Sequence, residues 1–165
     1  MTDLDVARPT TRQGGITESA AVAATAAFAG AALLSQTVIV PGWRAMTPAE
    51  FARQFAVQGP ATGATVFPFE AVALVLLCVV TYSAVRSRRL GRTAWALATV
   101  AMLGTVVLLA TYFVHADLAL LDPAFPPRDL PGELATWSRW NWLRAALGLA
   151  SVACATTGLV LRRRK

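Results

Sequence analysis

"AAVAATAAFAGAALLSQTVIV" occupies Ala20–Val40. These 21 residues contain no charged side chain. At ~1.5 Å per residue, a helix of this length crosses a hydrocarbon layer of ~30 Å. Three further stretches read the same way: Ala64–Val85, Ala94–His115 and Leu143–Leu161. Backbone groups in lipid must be satisfied internally, so each stretch is expected to be a helix. The fold class that follows is all-α: a four-transmembrane-helix bundle with spans at 20–40, 64–85, 94–115 and 143–161. A polar tail (1–19) precedes the membrane domain (20–161), and basic residues (162–165) follow it.

Composition supports this reading. Of 165 residues, 56% are apolar and only 15% are charged, against roughly 25% charged in a soluble domain. The net charge of +6 is no nucleic-acid signal, because the arginines cluster at the ends of apolar runs and form no basic, aromatic-rich groove. Cys78 and Cys154 fall inside spans without a CxxC neighbour and read as buried small hydrophobes. A single histidine excludes a multi-histidine metal site within one chain, so no metal is assigned.

Charge placement sets the expected topology. Ten basic residues lie on one face: Arg8 and Arg12, the "RSRRLGR" turn (Arg86, Arg88, Arg89, Arg92), and the terminal "RRRK" (Arg162–Lys165). Five lie on the other: Arg44, Arg53, Arg128, Arg139 and Arg144. The positive-inside rule then predicts a multi-pass plasma-membrane protein with both termini cytoplasmic. The leader before the first span is long and carries Asp3, Asp5 and Glu18, which favours a retained helix over a cleaved signal. Ala23, Ala27 and Ala31, with Ala26 and Gly30, repeat at small-residue spacing, predicting a packing face within the bundle or between copies.

The outer loops carry their own helical signals. "MTPAEFARQFAVQGP" (Met46–Pro60) begins with Thr47, Pro48 and Glu50, a capping pattern. "RDLPGELATWSRWNW" (Arg128–Trp142) predicts a helix running directly into the fourth span. Two short amphipathic helices are therefore expected outside the membrane.

Polar chemistry concentrates in "TWSRWNWLRAALG" (Thr136–Gly148). Trp137, Trp140, Asn141 and Arg144 fall at i, i+3, i+4 and i+7, close to one helix face. An aromatic belt with a snorkelling arginine gives a plainer account, and it suits Trp142. Asn141 and Arg144 lie deeper and need polar partners. Glu70, His115 and the pair Gln36–Thr37 occupy the outer halves of the other spans. Glu70 also reads as a first-turn acid if its helix begins at Pro68, and His115 as an interfacial histidine bonded to water. The functional reading brings Glu70, His115, Asn141 and Arg144 to one depth, with Glu70 and Arg144 paired. An ion-pair network that only pins the bundle has the same sequence.

The end of the third span, the "LALLDP" loop (Leu118–Pro123) and the W-x-x-W-N-x-x-R run at Trp137, Trp140, Asn141 and Arg144 resemble the anthrone oxygenase-like family of small four-helix membrane proteins. The resemblance covers roughly residues 20–161. Where many members carry an N-x-P-L-N stretch, this chain reads His115, Ala116, Asp117, Leu118, Ala119. The resemblance implies oxidation of an anthrone to an anthraquinone by dioxygen, without a cofactor. On that reading His115 is the base, Arg144 and Asn141 are oxyanion donors, and Glu70 orients His115 or holds Arg144. Trp137, Trp140 and Phe69 would contact a flat apolar aromatic molecule. Two other readings stay open. One is a non-catalytic accessory or scaffold protein that binds membrane lipid, a partner membrane protein or a second copy of itself. The other is a small transporter, for which no broken-helix pair is evident.

Overall fold

The structure, a computed structural model, describes residues 10–163, with side chains for 14–162. Asp3, Asp5, Arg8, Arg164 and Lys165 lie outside the described residues, as do the side chains of Arg12 and Arg163. Four long helices account for nearly all of the rest: α1 (10–44), α2 (Pro48–Arg86), α3 (Arg92–Leu121) and α4 (Leu130–Arg163). A 3-10 turn, Pro127–Asp129, precedes α4. No strand occurs among the described residues. All four helices are long and apolar enough to cross a membrane, and the chain is a multi-pass membrane protein.

The helices close into a ring. α1 packs on α2 and α4, and α3 packs on the same two. Short connections at 45–47 and 87–91 make sequence neighbours antiparallel partners. At the second turn Gly91 takes φ 84°, in the left-handed region that a side chain disfavours. A Cβ there would also lie 3.0 Å from the carbonyl oxygen of Gly158, so this glycine lets α3 start directly against α4.

The interior has two apolar cores. Phe28, Leu77, Trp95 and Met102, with Ala21 and Ala155, fill the half nearer the termini. Val40, Trp43, Phe51, Phe55, Phe113 and Trp137 dominate the other. A polar layer described below lies between them. The terminal end is tied by Glu18, 96% buried, which meets Arg89 at 3.3 Å and Arg162 at 2.7 Å. One carboxylate thereby joins α1, the 87–91 turn and the end of α4.

The helices outrun a bilayer. α2 has 39 residues, roughly 58 Å of helix against ~30 Å of hydrocarbon. Exposed apolar residues mark the part that meets lipid: Phe67 to Val85 on α2 and Leu143 to Val160 on α4. Beyond Phe67 and Leu143 the helices run on for several turns, and most of the second core lies in those extensions.

Two expectations are corrected and one is narrowed. The helix expected in the first outer loop forms, but it continues without a break through Pro60 and Pro68 into the second span. The inward face of α1 is Ala21, Thr25, Phe28, Ala29 and Ala32, whereas Ala23, Ala26, Ala27 and Gly30 are exposed. They therefore form no packing face within the bundle, and the reading that remains for them is a face between copies. Cys78 is exposed rather than buried, one residue past the inward-facing Leu77.

Candidate functional site

Arg144 enters the bundle from α4 just below the aromatic core. Its guanidinium donates to Glu70 Oε2 on α2, and Glu70 is fully buried. The rings of Phe28 (α1) and Phe113 (α3) flank the guanidinium, each centroid 5.2 Å from Cζ. A desolvated cation on an aromatic face gains roughly 2 kcal/mol, and the carboxylate supplies the opposite charge. All four helices therefore contribute to holding this one side chain. Glu70 Oε1 and Arg144 Nε form no hydrogen bond to the protein, so the pair keeps unused bonding capacity in a place where such groups are rare.

Asn141, 2% exposed, lies nearly one turn before Arg144. Its amide donates to the Ala32 carbonyl at 3.4 Å and to Gln36 Oε1 at 3.0 Å. Gln36 also lies 2.7 Å from Ser138 Oγ. With its amide turned, Gln36 instead accepts from Trp142 Nε1 at 2.9 Å and from Ser138 Oγ at 2.7 Å, and no longer accepts from Asn141. Gln36 sits in a π-helical turn of α1, Ser35–Ile39. A second π-turn, Leu109–Phe113, interrupts α3 at the same level. Such turns rotate the side chains that follow them and recur at functional sites. Here they set the inward direction of Ser35 and Gln36 on one helix and of Phe113 on the other.

Arg144 and Asn141, with Ala32, Ser35, Leu109 and Phe113, border a cavity of about 410 Å³. Apolar and aromatic walls come from Trp43, Phe55, Val66, Leu109, Phe113 and Trp137. Polar groups come from Ser35, Thr62, Asp117, Asn141 and Arg144. Asp117 is held by Trp137, whose Nε1–H donates to Oδ1 at 2.9 Å. The tryptophans lock one another edge to face: Trp43 lies 5.4 Å from Trp137, and Trp137 lies 5.2 Å from Phe113. A carboxylate, a guanidinium and an amide thus share one largely apolar chamber. This is the composition of a small-molecule site.

The structure brings Glu70, Asn141, Arg144 and Trp137 together. It does not bring His115, Trp140 or Phe69 to them. His115 is exposed, Trp140 is 40% exposed and Phe69 45%. One geometric reason covers all three. Each stands immediately before a buried residue (Ala116, Asn141 and Glu70), and one residue is ~100° around a helix. Trp140 packs instead on Tyr112, with centroids 5.7 Å apart, on the outer side of α3 and α4.

Asp117 takes the place expected of His115. Ending the third span at His115 put Asp117 in a loop, although the helix runs on to Leu121. The signal was available: Asp117 follows Phe113 at i+4 and precedes Leu120 at i+3, on the buried side of a continuing helix. Trp43 and Phe55 carry no local signal, since nothing in the sequence shows which rings meet across the bundle. Among the described residues no group of three or more histidine, cysteine or acidic side chains is placed to hold a metal ion. In comparisons with known proteins, no family model, no curated protein and no solved structure matches the chain.

Proposed function

We propose that this chain is a membrane oxygenase of the anthrone oxygenase type, acting on a flat apolar ketone at the outer interface of the plasma membrane. One observation carries the reading: a cavity with aromatic walls in which Asp117, Asn141 and Arg144 are the principal polar groups. The W-x-x-W-N-x-x-R run supplies three of its residues, Trp137, Asn141 and Arg144. The basic turn and the Glu18 clamp at the opposite end support cytoplasmic termini and an outward-facing site.

The chemistry follows from the substrate class. Asp117 takes a proton from the carbon opposite the carbonyl. The electron pair left behind delocalises onto the carbonyl oxygen as an enolate. Arg144 and Asn141 supply the positive charge and N–H donors that favour this oxyanion in a water-poor chamber. The enolate carbon then passes electrons to dioxygen, forms a C–O bond and, once reprotonated, is a hydroperoxide. Loss of water leaves a second carbonyl. One dioxygen is consumed, with one oxygen atom ending in the quinone and the other in water. General-base assistance of this kind contributes roughly 10²–10⁴-fold.

The test is oxygen consumption by detergent-purified protein given a simple anthrone. The reading expects uptake above the spontaneous rate, with one dioxygen used per anthraquinone formed. Folded protein that leaves the spontaneous rate unchanged would contradict it. A second reading has its own support: Arg144 is engaged by Glu70 and two rings, as in a purely structural pin. The protein is then an accessory subunit, and a co-purifying membrane partner would favour that reading.

A further inference from the structure

We infer that the cavity fills sideways from the lipid, through a gap between α2 and α3, and that its ligand is a neutral aromatic ketone dissolved in the membrane. The inference rests on the proposed reading of the cavity as a ligand site and adds the route and the phase from which the ligand arrives.

Exposure around the rim defines the opening. The lining residues from α1 and α4 (Ala32, Ser35, Trp43, Trp137, Asn141, Arg144) are buried or half-buried. The exposed lining residues are Gly63, Ala64 and Phe67 on α2 and Val114 on α3. The open side is therefore the seam between those two helices. Farther along that seam the helices are in contact, where the hydroxyls of Thr81 and Thr99 meet at 2.8 Å. Gly63 lies on the same side of α2 as Thr81, eighteen residues or five turns away. A Cβ at Gly63 would meet nothing within 4 Å, so the seam is open at its threshold.

Depth decides what can pass. Phe67 opens the closely spaced run of exposed apolar residues on α2 that extends to Val85, and Val114 and Leu118 are exposed on α3. The threshold thus opens at the boundary between acyl chains and head groups. A ligand crossing it meets Phe67 and Val114 first, then Leu109 and Phe113, and reaches Asp117, Asn141 and Arg144 last. An apolar body with a polar end suits that order. A permanently charged molecule would have to give up its hydration at the apolar rim, at high cost.

The experiment uses the full chain in phosphatidylcholine vesicles and two photoreactive probes: benzophenone, which dissolves in lipid, and a sulfonated benzophenone, which does not. After brief exposure and illumination, peptide mass spectrometry locates the labels. The inference expects benzophenone on Leu109 and Phe113, and about tenfold less label there from the sulfonated probe. Gly63→Trp is expected to lower the benzophenone label at those two residues about tenfold. Gly132→Trp, on an exposed position of α4 with nothing within 4 Å of its Cβ, is expected to change neither. Should Gly63→Trp fail to fold, Val114→Trp narrows the same gap from the facing helix. Equal interior labelling by both probes, or interior labelling unmoved by narrowing the gap, overturns the lipid route and leaves the cavity a ligand site. No interior label from either probe overturns the ligand-site reading and the route with it.

Discussion

At Arg144 a charge is held inside an apolar bundle by one carboxylate and two ring faces. Removing either partner of such a pair leaves the other charge uncompensated, which costs about 3–5 kcal/mol. Glu70→Ala and Arg144→Ala are therefore each expected to lower unfolding stability in bicelles by about that amount. The double variant Glu70→Leu/Arg144→Met is expected to recover most of the loss, because no charge is then stranded. Its activity is expected to stay low, and that separates the structural from the chemical part of Arg144. The pair itself was legible in the sequence: two ionisable residues in the outer halves of different spans have few alternatives to meeting. Its surroundings were not. Phe69, His115 and Trp140 each missed the interior by a single residue, and in a helix that is enough to turn a side chain from core to lipid.

Along single elements, caps and close contacts give the sharpest expectations. Thr47 and Glu50 form the reciprocal cap at the start of α2, with the Thr47 N–H donating to Glu50 Oε2 at 2.9 Å. Thr47→Ala is expected to cost about 1 kcal/mol and to speed amide exchange in the first turn of α2, leaving the rest of the helix protected. At the other end, a Cβ on Gly158 would lie 2.6 Å from Trp95 Nε1. Gly158→Leu is expected to push α4 from α3 and destabilise the bundle by about 1–3 kcal/mol, measured by thermal unfolding in detergent. The cap could be read directly from "TPAE", because its partners are three residues apart. The Gly158–Trp95 contact could not, since it joins residues 63 apart in sequence. The π-turns at Ser35–Ile39 and Leu109–Phe113 were equally hidden. They show as a phase slip in which residues face inward, not as any motif.

For the whole molecule, helix number and pairing followed from four apolar runs with no charge in their central turns and from short connections, because lipid leaves a chain few ways to satisfy its backbone. The helix extensions beyond these runs did not follow: hydropathy ends each span at its last apolar stretch, yet the helices continue and build the second core around Trp43, Phe113 and Trp137. The proposed orientation has a direct check. With Cys78 and Cys154 replaced by alanine, a cysteine at Ser87 is expected to react with an impermeant maleimide only after the cell is opened. A cysteine at Asp129 is expected to react from outside; the reverse pattern would invert the topology.

The site itself is decided by two neighbours two residues apart on α3, one lining the cavity and one facing away from it. Oxygen uptake with an anthrone, compared between Asp117→Asn and His115→Ala in folded protein, separates them. The account expects the asparagine variant to lose about 10²–10⁴-fold in rate and the His115 variant to stay near wild type. Loss of activity in His115→Ala with Asp117→Asn unimpaired would contradict it.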